Sequence, residues 1–156
     1  MVAILLAIDP GAKSGFAVLG EDGSCIDSGS EPWVNLRPRL AAYHGISAVV
    51  VEMPYYRCDS GEGSLRTPGD PNQLIRLAWS ACDHARQIAG SDATIYPVLP
   101  HDWKGRIEKL MHQRRFEKDH LPPGWATRWA GAGLDERDAI ALLHWAATTK
   151  AGLVCK

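Results

Sequence analysis

Four carboxylates carry the chemistry that this sequence offers. Asp9 closes the apolar run AILLAID, and Glu52 closes ISAVVVE. Asp135 and Asp138 stand three residues apart at the start of a helix expected over Leu134 to Thr149, a spacing that puts both on one helix face. If the two apolar runs are parallel neighbouring strands, their acids emerge at the same end of the sheet, where α/β sheets bind ligands. Carboxylates gathered in this way repel one another and raise each other's pKa values. A hard divalent cation removes that cost. Mg²⁺ takes oxygen ligands, with one or two carboxylates beside water and substrate phosphate. Two such ions about 3.5–4 Å apart stabilise both the attacking and the leaving oxygen of a phosphodiester. Singly, each acid has a plainer reading: Asp before Pro-Gly forms turns, and Asp135 suits a helix N-cap. Turns alone do not explain all four at converging positions.

The residues around these acids suit a polyanionic substrate. Gly11 and Gly15 permit close approach of a phosphate or of neighbouring backbone, and Lys13 and Ser14 are candidate phosphate contacts, with Lys13 equally suited to a solvated turn. The most basic stretch runs from Lys104 to Lys118 and includes Arg106, Lys109, Arg114 and Arg115, opposed by Glu108 and Glu117. Such cations hold phosphates and make binding salt-dependent, although any one of them also suits a solvated helix face. Arg57 and Arg66, in a Gly/Pro-rich loop over 57–71, are further candidates. Tyr55 and Tyr56 follow Glu52; stacking a base on an aromatic ring is worth about 1–3 kcal/mol, and loop packing is the competing role. Trp79, Trp125, Trp129 and Trp145 read as packing or interface residues. The histidines show no metal-ligand spacing, and His144 reads as structural.

The elements that must position these groups follow from hydropathy. Residues 2–8 form a strand apolar on both faces. Phe16–Leu19 and Ser24–Ser28, separated by the turn Gly20-Glu21-Asp22-Gly23, complete an antiparallel meander. Trp33–Tyr43 has helical spacing despite Pro38. Ile46–Val51 is another buried strand, Asn72–Ala89 a helix stopped by Gly90, and Thr94–Leu99 a fifth strand. A partly helical basic segment precedes a Pro/Gly/Trp loop over Leu121–Gly133 and the last helix. The pattern implies an α/β domain over residues 1–156, with a five-stranded mixed sheet covered by helices on both faces.

Bulk properties narrow the class. The chain has 156 residues, enough for one buried core. Its net charge of −1 excludes a generally basic nucleic-acid binder, so an anion-binding surface must be a local patch. Cys25, Cys58, Cys82 and Cys155 lack Cys-x-x-Cys spacing and read as reduced thiols in a cytosol. The first apolar run is too short for a signal peptide and no run is long enough to span a membrane, so a cytoplasmic protein is expected.

AIDPGAKSGFAVL resembles the first-strand motif of RuvC-type Holliday junction resolvases, in the ribonuclease H-like (retroviral integrase) superfamily. VVVEMPYY resembles that family's second motif, and DERDAIALLHWA its C-terminal Asp-x-x-Asp-Ala helix. YPVLPHDWKGRIEK is similar to its strand, proline and DNA-contacting lysine. The resemblance covers most of the chain in order. It implies a ribonuclease H-like fold and makes Asp9, Glu52, Asp135 and Asp138 the catalytic ligands of Mg²⁺, with Mn²⁺ as a substitute and two ions per site. It makes Tyr55, with Tyr56 as rival, a base-stacking residue and Lys104 a phosphate contact. The implied protein is a homodimer that resolves four-way junctions by paired symmetric nicks, through in-line attack of metal-activated water, in a nucleoid or a phage-infected host cytoplasm. The stretch from Gly105 to Gly133 and the loop after Arg57 depart from the bacterial pattern. A phage-type enzyme accommodates this.

Three other classes share some features. A nuclease of the same fold acting on other branched DNA or RNA–DNA hybrid needs the same acids. An actin-like ATP phosphotransferase also has Asp and glycines on its first strand but normally needs two lobes. A non-catalytic DNA-binding module does not require all four acids.

Overall fold

The computed structural model describes residues 3–53, 71–90, 92–105 and 107–149. Three strands open the chain, β1 (Ala3–Asp9), β2 (Ser14–Gly20) and β3 (Cys25–Glu31), followed by α1 (Trp33–Leu40) and β4 (Ala48–Glu52). Then come α2 (Pro71–Ala89), β5 (Thr94–Val98), α3 (Pro100–Trp103) and α4 (Lys109–Asp119). A 3₁₀ turn (Pro123–Trp125), α5 (Ala126–Gly131) and α6 (Leu134–Thr149) complete the described chain. The strands form one mixed sheet in the order β3-β2-β1-β4-β5. The meander pairs are antiparallel, whereas β1/β4 and β4/β5 are parallel. This is the α/β architecture with a five-stranded mixed sheet that the hydropathy pattern implies.

Side chains alternate across a strand, so the apolar runs fill two cores. Leu6 and Ile8 of β1, Val49 and Val51 of β4, and Phe16 and Val18 of β2 face α1 and α2. They meet Leu36, Leu40, Ala81, Cys82 and Ala85 there. Leu5 and Ala7, Ala48 and Val50, and Ala17 and Leu19 face the other way, onto Ala139, Ile140, Leu142, Leu143 and Ala146 of α6. Burying one such Val, Leu, Ile or Phe side chain contributes about 1.5–3 kcal/mol. Helices on both faces are therefore a consequence of strands without a polar face.

Residues 121–133, read from sequence as a loop, instead contain the 3₁₀ turn and α5. Pro122, Pro123 and Gly124 hide the start of this helix and Gly131 its end. A helix of six residues has little stability of its own. Trp125 and Trp129, both buried in the α6-side core, hold it in place. The basic segment is broken in two by Gly105, which takes a positive φ of 67° between α3 and α4. No helix among the described residues is long and apolar enough to cross a membrane. Cys25 and Cys82 are buried free thiols; Cys58 and Cys155 lie outside the described residues.

Candidate active site

The register of β1 and β4 sets Ile8 level with Val51. One residue later each strand reaches its acid. Leu5 and Ala7 on β1, and Ala48 and Val50 on β4, already face α6, so Asp9 and Glu52 emerge on the α6 side. There they meet Asp138, which is only 1% exposed in the second turn of α6. Helix α6 comes this close because β2 carries Gly15 directly across from Asp9. A Cβ at residue 15 would collide with the Asp135 carbonyl oxygen and press on the Ala139 methyl at 3.3 Å. Of the two uses open to Gly15, backbone approach is the one realised. Ser14 is fully buried and closes the preceding turn against Gly11, with its Oγ 3.4 Å from both the amide and the carbonyl of that residue. Lys13 is exposed beside it.

Two lysines and two neutral donors hold the carboxylates. Lys104 Nζ lies 3.0 Å from both Glu52 oxygens and 3.6 Å from Asp138 Oδ2. Lys109 Nζ lies 3.1 Å from Asp138 Oδ2 and 2.9 Å from Asp135 Oδ1. The indole of Trp103 donates to Glu52 Oε2 at 2.8 Å. Gln113 Nε2 donates to Asp138 Oδ1 at 2.7 Å and to the Leu134 carbonyl at 2.9 Å, tying α4 to the first turn of α6. The last strand delivers this arm of the site. Pro100 opens α3 and Asp102 accepts the Leu99 amide at 3.1 Å, which fixes Trp103 and Lys104 over the end of β4. Asp135 is the peripheral member, with its side chain 44% exposed. The first turn of α6 suits its charge, since the helix dipole favours anions there.

The remaining acid, Asp9, has no hydrogen-bond donor among the described residues. Burial pushes its pKa well above the ordinary value, and the charges of Glu52 and Asp138 push it further; Lys109 and Lys104 offset this in part. Burial also raises Glu52, against the pull of Lys104 and the Trp103 hydrogen bond. Burial alone would lower Lys109, but Asp138, Asp135 and Asp9 outweigh it and raise its pKa.

Sequence reasoning placed Asp9, Glu52, Asp135, Asp138, Lys104 and Lys109 in or beside one site, and the structure brings all six together. Lys104 and Lys109 turn inward to the acids rather than outward. Arg114, Arg115 and Lys118 of α4 are exposed. Tyr55, Tyr56, Arg57, Arg66 and Arg106 lie outside the described residues. Trp103 and Gln113 were missed. The four-residue step from Lys109 to Gln113, one turn of α4, is the only hint of the second, and Trp103 carries none.

The donor set is chemically suited to a hard cation: carboxylate oxygens only, one of them unbonded and destabilised by its neighbours. Lys104 bridges Glu52 and Asp138, and Lys109 bridges Asp138 and Asp135. Among the described residues no three Asp, Glu, His or Cys side chains stand close enough to enclose an ion; ammonium groups fill the gaps between the acids. Comparison of the sequence with protein-family models and with curated proteins finds no match.

Proposed function

We propose that this chain is a metal-dependent endonuclease of the RuvC-type Holliday junction resolvase family with a ribonuclease H-like fold, and that it nicks four-way DNA junctions in symmetric pairs as a homodimer. The observation that carries this reading is the meeting of Asp9, Glu52 and Asp138, with Asp135 at their edge, at the ends of two parallel strands and the start of the last helix. Asp9, Glu52, Asp138 and Asp135 would hold Mg²⁺ or Mn²⁺. Bound there, the metal supplies Lewis-acid activation of water and stabilisation of the leaving oxygen.

The chain's own residues supply the rest. Lys104 and Lys109 neutralise the acids in the free protein and stand ready to meet a phosphate that arrives with the metal. Trp103 and Gln113 fix the orientation of Glu52 and Asp138, as outer-shell donors do in metal sites. Exposed Arg114, Arg115 and Lys13 add charge for the DNA backbone.

The test compares a synthetic four-way junction with a linear duplex of the same arms, with and without Mg²⁺. Paired nicks in the junction alone, dependent on metal, are expected. Equal cutting of the duplex would remove junction specificity, and no cutting with Mg²⁺ or Mn²⁺ would remove the nuclease reading.

A further inference from the structure

The two ammonium groups of the acidic site hold the oxygens that a cation would take. Lys104 engages both Glu52 oxygens at 3.0 Å. Lys109 engages Asp138 Oδ2 at 3.1 Å and Asp135 Oδ1 at 2.9 Å. Trp103 adds a second donor to Glu52 Oε2, and Gln113 donates to Asp138 Oδ1. Every carboxylate oxygen of Glu52 and Asp138 therefore already meets a donor. A divalent cation entering here competes with ammonium for the same oxygens, and like charges at this spacing repel.

The four donors are not equally easy to remove. Trp103 and Gln113 are neutral and buried, so they orient the acids without opposing a cation. Lys104 and Lys109 end long flexible stems and stand at element ends: Lys104 caps α3, and Lys109 is the first residue of α4. Lys104 has a further contact, its ammonium 4.8 Å from the centroid of the Trp103 ring, and its side chain is 14% exposed. The Lys109 side chain is 39% exposed. A cation in the first turn of α4 also opposes the helix dipole, so the acids alone draw Lys109 inward. It is the looser of the two.

We propose that Lys104 and Lys109 are an internal cation latch: in the free protein their ammonium groups keep divalent metal off the carboxylates, and a DNA phosphate at the site draws them away. The inference rests on the nuclease reading and adds a regulation of the same site. Metal and DNA then load together, and the protein without DNA holds metal weakly. Lysine is suited to this role because one ammonium serves either anion, carboxylate or phosphate, with only its side chain turning.

The test is Mn²⁺ titration of the full chain without DNA, read by calorimetry and by the paramagnetic resonance of free Mn²⁺. Lys109→Met is expected to bind Mn²⁺ at least about fivefold more tightly than wild type, the low end of couplings between sites. Lys109→Arg keeps the ion pairs and is expected to match wild type. Lys118→Met removes an exposed charge at the far end of α4 and is also expected to match it. The Lys109→Met gain should survive in about 0.5 M KCl, where remote charges are screened. Thermal melts check folding, and Lys109→Gln replaces Lys109→Met should the latter not fold. Mn²⁺ affinity unchanged in the Lys109 variant, or raised equally by Lys118→Met, would overturn the latch. So would junction binding by wild type that Ca²⁺ leaves no tighter than chelator does. Junction cleavage is assayed on the same wild-type protein. A Lys109→Met gain without cleavage keeps the lysines as occupants of a cation site and removes the nuclease reading; cleavage without that gain does the reverse.

Discussion

The two faces of the sheet are built from the same strands and end differently. On the α1/α2 face, Leu6, Ile8, Val49 and Val51 stay apolar to the last position. On the α6 face, Leu5 and Ala7 lead to Asp9, and Ala48 and Val50 lead to Glu52. A step of one residue along β1 thus separates a dry core from a carboxylate cluster. The apolar face needs nothing beyond packing. The other face needs Lys104, Lys109, Trp103 and Gln113 to keep its charges in place, and the cluster is destabilised even so. Gathering buried carboxylates raises their pKa values and is costly to the fold, which makes this strand end the candidate functional face.

That contrast is open to direct tests. Ile8→Ala, on the dry face, removes packing from a fully buried position and is expected to cost about 2–5 kcal/mol. A melt should register about 2–4 °C per kcal/mol, and activity per folded molecule should not change. Trp103→Phe, on the charged face, keeps the ring but deletes the donor to Glu52. A loss of about 10–100-fold in cleavage is expected, with a far smaller change in stability than Ile8→Ala. Gly15→Ala joins the two effects. The added methyl pushes α6 off β2, so a loss of about 1–3 kcal/mol is expected together with a fall in cleavage, read by melting and by nicking rate.

The smallest effect is electrostatic. The raised pKa of Asp9 means that the folded chain holds this proton more tightly than the unfolded chain, whose carboxyl has the ordinary value of 3.8. The contribution of Asp9 to stability should therefore fall as pH rises from about 3.8 through the raised value, and level off beyond it. Asp9→Asn has no such charge. Without metal, it should melt above wild type at neutral pH, and the gap should close in acid. A variant less stable than wild type at neutral pH would mean that the Asp9 carboxylate supports the fold.

The sequence makes the acids legible because each interrupts a periodic signal. Asp9 and Glu52 end wholly apolar runs, and Asp135 and Asp138 share a helix face. Parallel pairing of β1 with β4 follows from the helix between them, and with it the convergence of the acids. The groups that hold the acids are not legible in this way. Trp103 lies 51 positions from Glu52 and Gln113 lies 25 from Asp138; neither spacing has a period. The inward turn of Lys104 and Lys109 is equally tertiary, since a basic stretch reads the same whether it meets solvent or a carboxylate. Helix α5 escaped notice because Pro122, Pro123 and Gly124 signal a loop, while the packing of Trp125 and Trp129 decides otherwise.

The most direct measurement is to bind and cut a labelled four-way junction with wild type and Asp9→Asn side by side, binding in Ca²⁺ and cleavage in Mg²⁺. The account predicts that Asp9→Asn binds the junction as wild type does and loses cleavage by more than the roughly 100-fold that an outer-shell change costs. Cleavage by Asp9→Asn at the wild-type rate would contradict it, because the acid at the end of β1 would then have no part in the chemistry.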